Sequence, residues 1–157
     1  MPVTEIVRLL ALPPNTPTTA PLLPLLSRAI TTLNAASSDP PFRVYRSIST
    51  PQRLYFFGQW DSPEHHAEFI RSPENQGLLA AADGILQVEE MVHVDVPIAS
   101  LALEQGGRVW VGQKSVGGKG EGWYGIVERE GWVKLASAAE GEGEWEELED
   151  FYPILDL

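Results

Sequence analysis

The order in which two kinds of hydrophobic spacing follow one another along residues 1–96 constrains this chain more than any other feature. Val3–Leu12 is apolar with Glu5 and Arg8 interspersed and stops at Pro13-Pro14, too short for a good helix, so it reads as a strand. Leu22, Leu26, Ala29 and Leu33 then recur at helical spacing, with Pro24 tolerated in the first turn. Phe42–Ser49 and Leu54–Trp60 alternate residue by residue and are joined by the hairpin-length stretch Thr50–Arg53. Asp61-Ser62-Pro63-Glu64 and Ser72-Pro73-Glu74 each carry a helix start: a capping side chain, a proline at the first helical position and an acid in the first turn. Gln87–Val96 alternates again and ends at Pro97.

Strand, helix, strand, strand, helix, strand: this order predicts an α+β fold built on a ferredoxin-like unit, an antiparallel sheet with both helices on one face. The helices can cover only that face. The other carries Tyr45, Tyr55 and Phe57, and an uncovered apolar face calls for a partner or a ligand. Pro97 divides the chain into the unit 1–96 and a β-rich extension, 97–157. In the extension Arg108–Ser115, Trp123–Glu128 and Trp132–Ser137 read as a β-meander that would be marginal alone. Two covers for the open face follow. One is a second copy of the chain, making a homodimer; the other is the meander itself, with Trp110, Trp123 and Trp132 as its apolar side. The run "EGEGEWEELED" from Glu140 to Asp150 holds seven carboxylates and no base, and reads as a solvated tail or a charged edge.

A formal net charge of −11 repels nucleic-acid phosphates and anionic membrane surfaces, so neither is an expected partner. The absence of cysteine removes disulfides, thiolate metal sites and cysteine nucleophiles together. "MPVTEIVRLLALPP" lacks the basic and apolar regions of a leader, and no run reaches the roughly 18 apolar residues of a membrane span. The expectation is a soluble, cytoplasmic protein. "SVGGKGEGW" has glycines and a lysine but no Gly-Lys-Ser/Thr ending, so it reads as a hairpin loop and not a phosphate loop. His65, His66 and the distant His93 do not make a helical metal motif, and no metal is expected.

The strand "VTEIVRLLAL", the strand end "LYFFGQW", the helix entry "WDSPEHHAEFIRSP" and the last strand "QVEEMVHVDV" together resemble the dimeric α+β-barrel superfamily, in particular its antibiotic-biosynthesis-monooxygenase type. That type closes its third strand with a Trp, follows it with a Ser/Pro cap and bears a His near the helix start. Trp60, Ser62 and His65 or His66 match. The resemblance covers 1–96 and implies two ferredoxin-like units joined face to face. It also implies activities ranging from cofactor-free oxygenation of phenolic polyketides through haem degradation to cyclisation, isomerisation and decarboxylation. The haem-degrading branch relies on an Asn in the first strand, a Trp and a His; Val3–Leu12 contains no Asn, which counts against that activity.

His65 and His66 sit in the first turn of a helix, where the dipole disfavours protonation, so a neutral imidazole base is expected there. Adjacent positions point about 100° apart, so at most one of the two faces a pocket and the other faces solvent. Trp60 could stack on a flat substrate or close the core. Tyr45 and Tyr55, cross-strand neighbours, could bind a phenol or enolate oxygen or simply pack on each other. Phe57 lies on their face. Arg43 and Arg8 could neutralise an enolate, and His93 could line a cavity from the last strand. The reading is a tailoring enzyme, an oxygenase without a bound organic cofactor acting on an aromatic or polyketide-like metabolite. His65 or His66 would be its base, with Tyr45 or Tyr55 at the oxyanion and Trp60 stacked on the ring. Cyclase, isomerase or decarboxylase chemistry on the same residues, or a non-catalytic binding scaffold, are the alternatives.

Overall fold

Residues 1–101, 103, 107–115 and 120–151 are described by the computed structural model. In chain order they form β1 (Val3–Ala11), α1 (Leu22–Ala36), β2 (Ser38–Ser47), β3 (Arg53–Trp60), α2 (Pro63–Ile70), α3 (Pro73–Ala82) and β4 (Leu86–Val94). Beyond a single 3-10 turn come β5 (Arg108–Lys114), β6 (Tyr124–Gly125), β7 (Trp132–Ala136) and β8 (Glu144–Asp150). The two helix starts form as their residues dictate: Ser62 Oγ accepts from His65 N at 3.1 Å and Ser72 Oγ from Asn75 N at 3.2 Å, each with proline next. The glycine-rich stretch at 116–119, expected as a hairpin loop, lies outside the described residues.

All eight strands share one sheet in the order β4-β1-β3-β2-β8-β5-β7-β6, and every pairing is antiparallel. The sheet curls until its two edges meet. Val94 at the end of β4 bridges Ile126 just past β6, and Val127 N donates to His93 O at 2.8 Å. Two apolar cores result. On the outer face Val3, Val7, Leu9, Phe42, Phe56 and Trp60 pack under Leu22, Leu26 and Ile30 of α1, Phe69 of α2 and Leu78 of α3. On the inner face Ile6, Tyr45, Tyr55, Phe57 and Val92 meet Val109, Val111, Val133, Leu135 and Leu148 from the C-terminal strands.

The inner face is therefore not open to a partner: the chain's own strands fill it. Their cover is not the expected tryptophans. Trp110 and Trp132 stay partly exposed and Trp123 packs edge-on against Trp145 at 5.7 Å, while aliphatic residues of the alternate parity point inward. Nor are the C-terminal strands a simple meander, because β7 lies between β5 and β6. The largest correction concerns the acidic run. Glu144–Asp150 is not a solvated tail but strand β8, hydrogen-bonded between β2 and β5. Alternation within it buries Leu148 completely and turns Glu147 and Glu149 outward to Arg108 and Arg46. Among the described residues no helix is long and apolar enough to cross a membrane.

Candidate functional site: a buried carboxyl and two imidazoles under the helices

β1 carries Glu5 in the same row as Val3, Val7 and Leu9, so an acid is set among apolar residues on the helix-covered face. Glu5 is 2% exposed. Its cross-strand neighbour on β4 is His93 and on β3 is Gly58, with Trp60 two residues further along. Trp60 Nε1 donates to Glu5 Oε2 at 2.7 Å. His66, the fourth residue after the Ser62 cap, points inward from α2 and brings Nε2 to 3.5 Å from Glu5 Oε1. Its other nitrogen, Nδ1, lies 2.6 Å from His93 Nε2. His93 in turn bonds through Nδ1 to Glu128 Oε1, and its backbone N donates to Glu128 Oε2 at 2.9 Å.

Burial governs the protonation of this row. It pushes the Glu5 carboxyl up to about 7, against the Trp60 hydrogen bond, with the charge of Glu128 adding to the rise. It pushes His66 down to about 3, helped by His93 and His65, so at neutral pH the imidazole carries no charge. Trp60 stacks on the His66 ring at 4.6 Å and 19°, which fixes both.

Next to Glu5 and His66 lies a cavity of about 230 Å³ between sheet and helices. Val7, Leu9 and Phe56 form its floor, and Leu26, Phe69 and Leu78 its roof. Its outer rim, Ile70, Leu79, Val88 and Met91, is apolar and exposed. Among the described residues only Asn75 adds a further polar side chain, and its amide donates to Ile70 O at 3.0 Å.

The residues expected to form one site are divided between the two faces of the sheet. Trp60, His66 and His93 come together on the helix side, but Trp60 does not line the cavity; it holds Glu5 and His66 instead. His65 lies at the margin, 30% exposed in its side chain, with Nδ1 accepting from Asp61 N at 3.2 Å. Tyr45 and Tyr55 are paired across β2 and β3 and pack on Phe57 in the inner core, with ring centroids 5.6 and 6.2 Å away. Arg43 donates to Leu103 O at 2.7 Å, and Arg8 approaches Glu89 at 3.6 Å. Arg8 and Tyr55 line a second cavity of about 360 Å³, in which Arg53 pairs with Glu146 and also reaches Glu89, which is outside the lining.

Glu5 and Glu128 are the site residues that sequence reading missed. Parity along β1 was the available signal for Glu5, since an acid in register with Val3 and Val7 must share their burial. Nothing local marks Glu128. No group of three or more His, Asp or Glu among the described residues is placed to hold a metal ion. Both ring nitrogens of His66 and of His93 face protein partners, so the cavity offers no free imidazole for haem iron.

No family model and no curated protein matches the chain. Solved structures do. A protein assigned as a chlorite dismutase aligns with 99% of this chain and 98% of its own at a TM-score of 0.59 and 12% identity. A protein of Fusobacterium nucleatum assigned as a monooxygenase aligns with 99% of this chain and 79% of its own at 0.58 and 7%. Both share this chain's fold over nearly its whole length. An antibiotic-biosynthesis-monooxygenase protein of Chloroflexus aurantiacus is also similar, at 21% identity over 76% of this chain and 98% of its own, with a TM-score of 0.45. At these identities the likeness is one of fold alone, with substrate and reaction left to the site itself.

Proposed function

We propose that the chain is a small-molecule oxygenase that acts without a bound organic cofactor on an apolar aromatic or polyketide-like substrate, with Glu5 as the acid–base group. The observation that carries this reading is a buried carboxyl on the wall of an otherwise apolar cavity, with a proton affinity matched to neutral pH. His66, pushed down to about 3, is a weak base, so support for the base lies with Glu5 rather than with the histidine pair. About 230 Å³ is small beside the roughly 300–1,000 Å³ of pockets for drug-sized ligands, which favours a substrate of one or two rings. An apolar rim favours a molecule that leaves water readily.

In this reading the Glu5 carboxylate takes a proton from an activated CH₂ beside a phenol or ketone. The carbanion adds O₂ and a proton to give a hydroperoxide, which loses water to leave a ketone. One oxygen atom stays on the product, one leaves as water, and no outside reductant is used. We infer further that 1–96 is a ferredoxin-like unit, supported by the order β4-β1-β3-β2, and that β5–β8 of the extension stand where a second copy stands in the dimeric barrels the sequence resembles. A dimer through the inner face is then unnecessary.

Oxygen uptake and product mass, followed together over a panel of phenolic polyketides, test the reaction. Uptake with a gain of oxygen mass, reduced about 100-fold or more in Glu5→Gln, is expected. Product change without uptake would move the reaction to isomerisation, cyclisation or decarboxylation, and binding without turnover would point to a scaffold.

A further inference from the structure

We propose that Glu128, from the loop between β6 and β7, is the outer end of a proton relay, Glu128–His93–His66–Glu5, that sets which protonation state Glu5 presents to the cavity. The proposal rests on the reading of Glu5 as the acid–base group and adds to it how that group is reset, and through which part of the chain. His93 and Glu128 are positioning residues here, since neither lines the cavity.

Hydrogen-bond geometry fixes the direction of the row. Glu128 accepts twice from one residue, from His93 N and from His93 Nδ1, so Nδ1 carries a proton. On a neutral ring His93 Nε2 is then bare, and His66 Nδ1, at 2.6 Å, must donate to it. His66 Nε2 is bare in turn and faces Glu5 Oε1 at 3.5 Å, while Oε2 is occupied by Trp60. Glu5 in its acid form completes the row with its proton on Oε1. Passing that proton inward to outward moves it from Glu5 to His66 Nε2 and moves the His66 Nδ1 proton to His93 Nε2. Glu5 becomes a carboxylate and His93 an imidazolium beside the Glu128 carboxylate, so atoms and charge balance. The row starts at a carboxyl 2% exposed and ends at a side chain 40% exposed, a path from cavity to water. The nearest other titratable groups have partners of their own, although His65 still adds to the lowering of His66. His65, on the same helix, bonds Asp61 N, and Arg129 turns to Glu90 at 3.1 Å.

Nitrogen-15 spectra of the imidazoles at neutral pH test this without any substrate. Wild type is expected to show His66 and His93 both protonated on Nδ1. In Glu128→Gln the single amide oxygen can serve only one of two donors. The backbone N–H cannot change, so the oxygen goes to it and the amide NH₂ faces His93 Nδ1. His93 then moves its proton to Nε2 and His66 follows, so both rings swap tautomer. Glu5→Gln is the control from the other end: its NH₂ replaces the acid O–H, and both rings keep the wild-type tautomer. A His66 ring that ignores Glu128→Gln, or a Glu5→Gln protein whose rings swap, overturns the relay. The oxygen-uptake assay fails or succeeds independently, so loss of the proposed reaction and loss of the relay are told apart.

Discussion

Glu5 and His66 bind protons in opposite senses, and stability should record both. Glu5 is raised from 4.5 to about 7. Across that window the folded chain holds a proton the unfolded chain has released, so stability falls as pH rises. His66 is lowered from 6.5 to about 3. Across that window the unfolded chain holds the extra proton, so stability rises with pH. At about 1.4 kcal/mol for each pKa unit, both contributions are on the order of a few kcal/mol. Together they predict a rise between about 3 and 4.5, near-cancellation up to 6.5, and a fall toward 7. Glu5→Gln should remove the falling limb. Urea denaturation at pH 5 and pH 8 measures it: the variant should be relatively more stable at pH 8, and an unchanged difference between the two pH values would count against a buried, protonated Glu5. The sequence displayed half of this. Parity along β1 assigns Glu5 to the apolar row, but its partner 61 positions away, and the one of two adjacent histidines that turns inward, are decided only by packing.

Among the elements, β8 shows most plainly how composition can hide pattern. Counting seven carboxylates suggests a solvated tail; alternation separates the five that fall in β8 into two rows with different partners. Outward Glu147 and Glu149 meet arginines, whereas inward Glu146 accepts from Tyr55 Oη at 2.5 Å, from Arg53 at 3.1 Å and from Ser47. Burial opposes its ionisation, but these donors outweigh burial and hold it below the usual carboxylate range. Burial and Glu146 in turn push the Tyr55 phenol well above its ordinary value. Glu146→Ala takes from the Tyr55 phenol, the Ser47 hydroxyl and one arm of the Arg53 guanidinium their shared acceptor, leaving Arg53 with Glu89, and is expected to cost about 2–4 kcal/mol in denaturant midpoint analysis. A loss below about 0.5 kcal/mol, the level of an ordinary surface change, would show that the network is solvated and β8 is held by its backbone alone. The helices were the easier elements to read, because Ser62-Pro63 and Ser72-Pro73 each state a cap and a first turn locally.

For the whole molecule, the alternation of strands and helices along 1–96 was legible, and closure was not. The two covers for the inner face, a second copy or the C-terminal strands, satisfy the same apolar residues, so no pattern in 1–96 distinguishes them. What decides is the pairing of β8 with β2 and the meeting of Val94 with Ile126, contacts that span much of the chain. The closure also brings Glu128 to His93, so the strands that fill the inner face complete the row on the outer one. A chain that fills its own interior should sediment as a monomer over a wide concentration range. Cut after Val96, it would expose Ile6, Tyr45, Tyr55, Phe57 and Val92 together, and a contiguous apolar face of that kind drives association. The fragment should therefore dimerise or aggregate where the full chain does not. A fragment that stayed monomeric and folded would mean that the inner face needs no cover, and that the C-terminal strands are an appendage rather than the second half of the sheet.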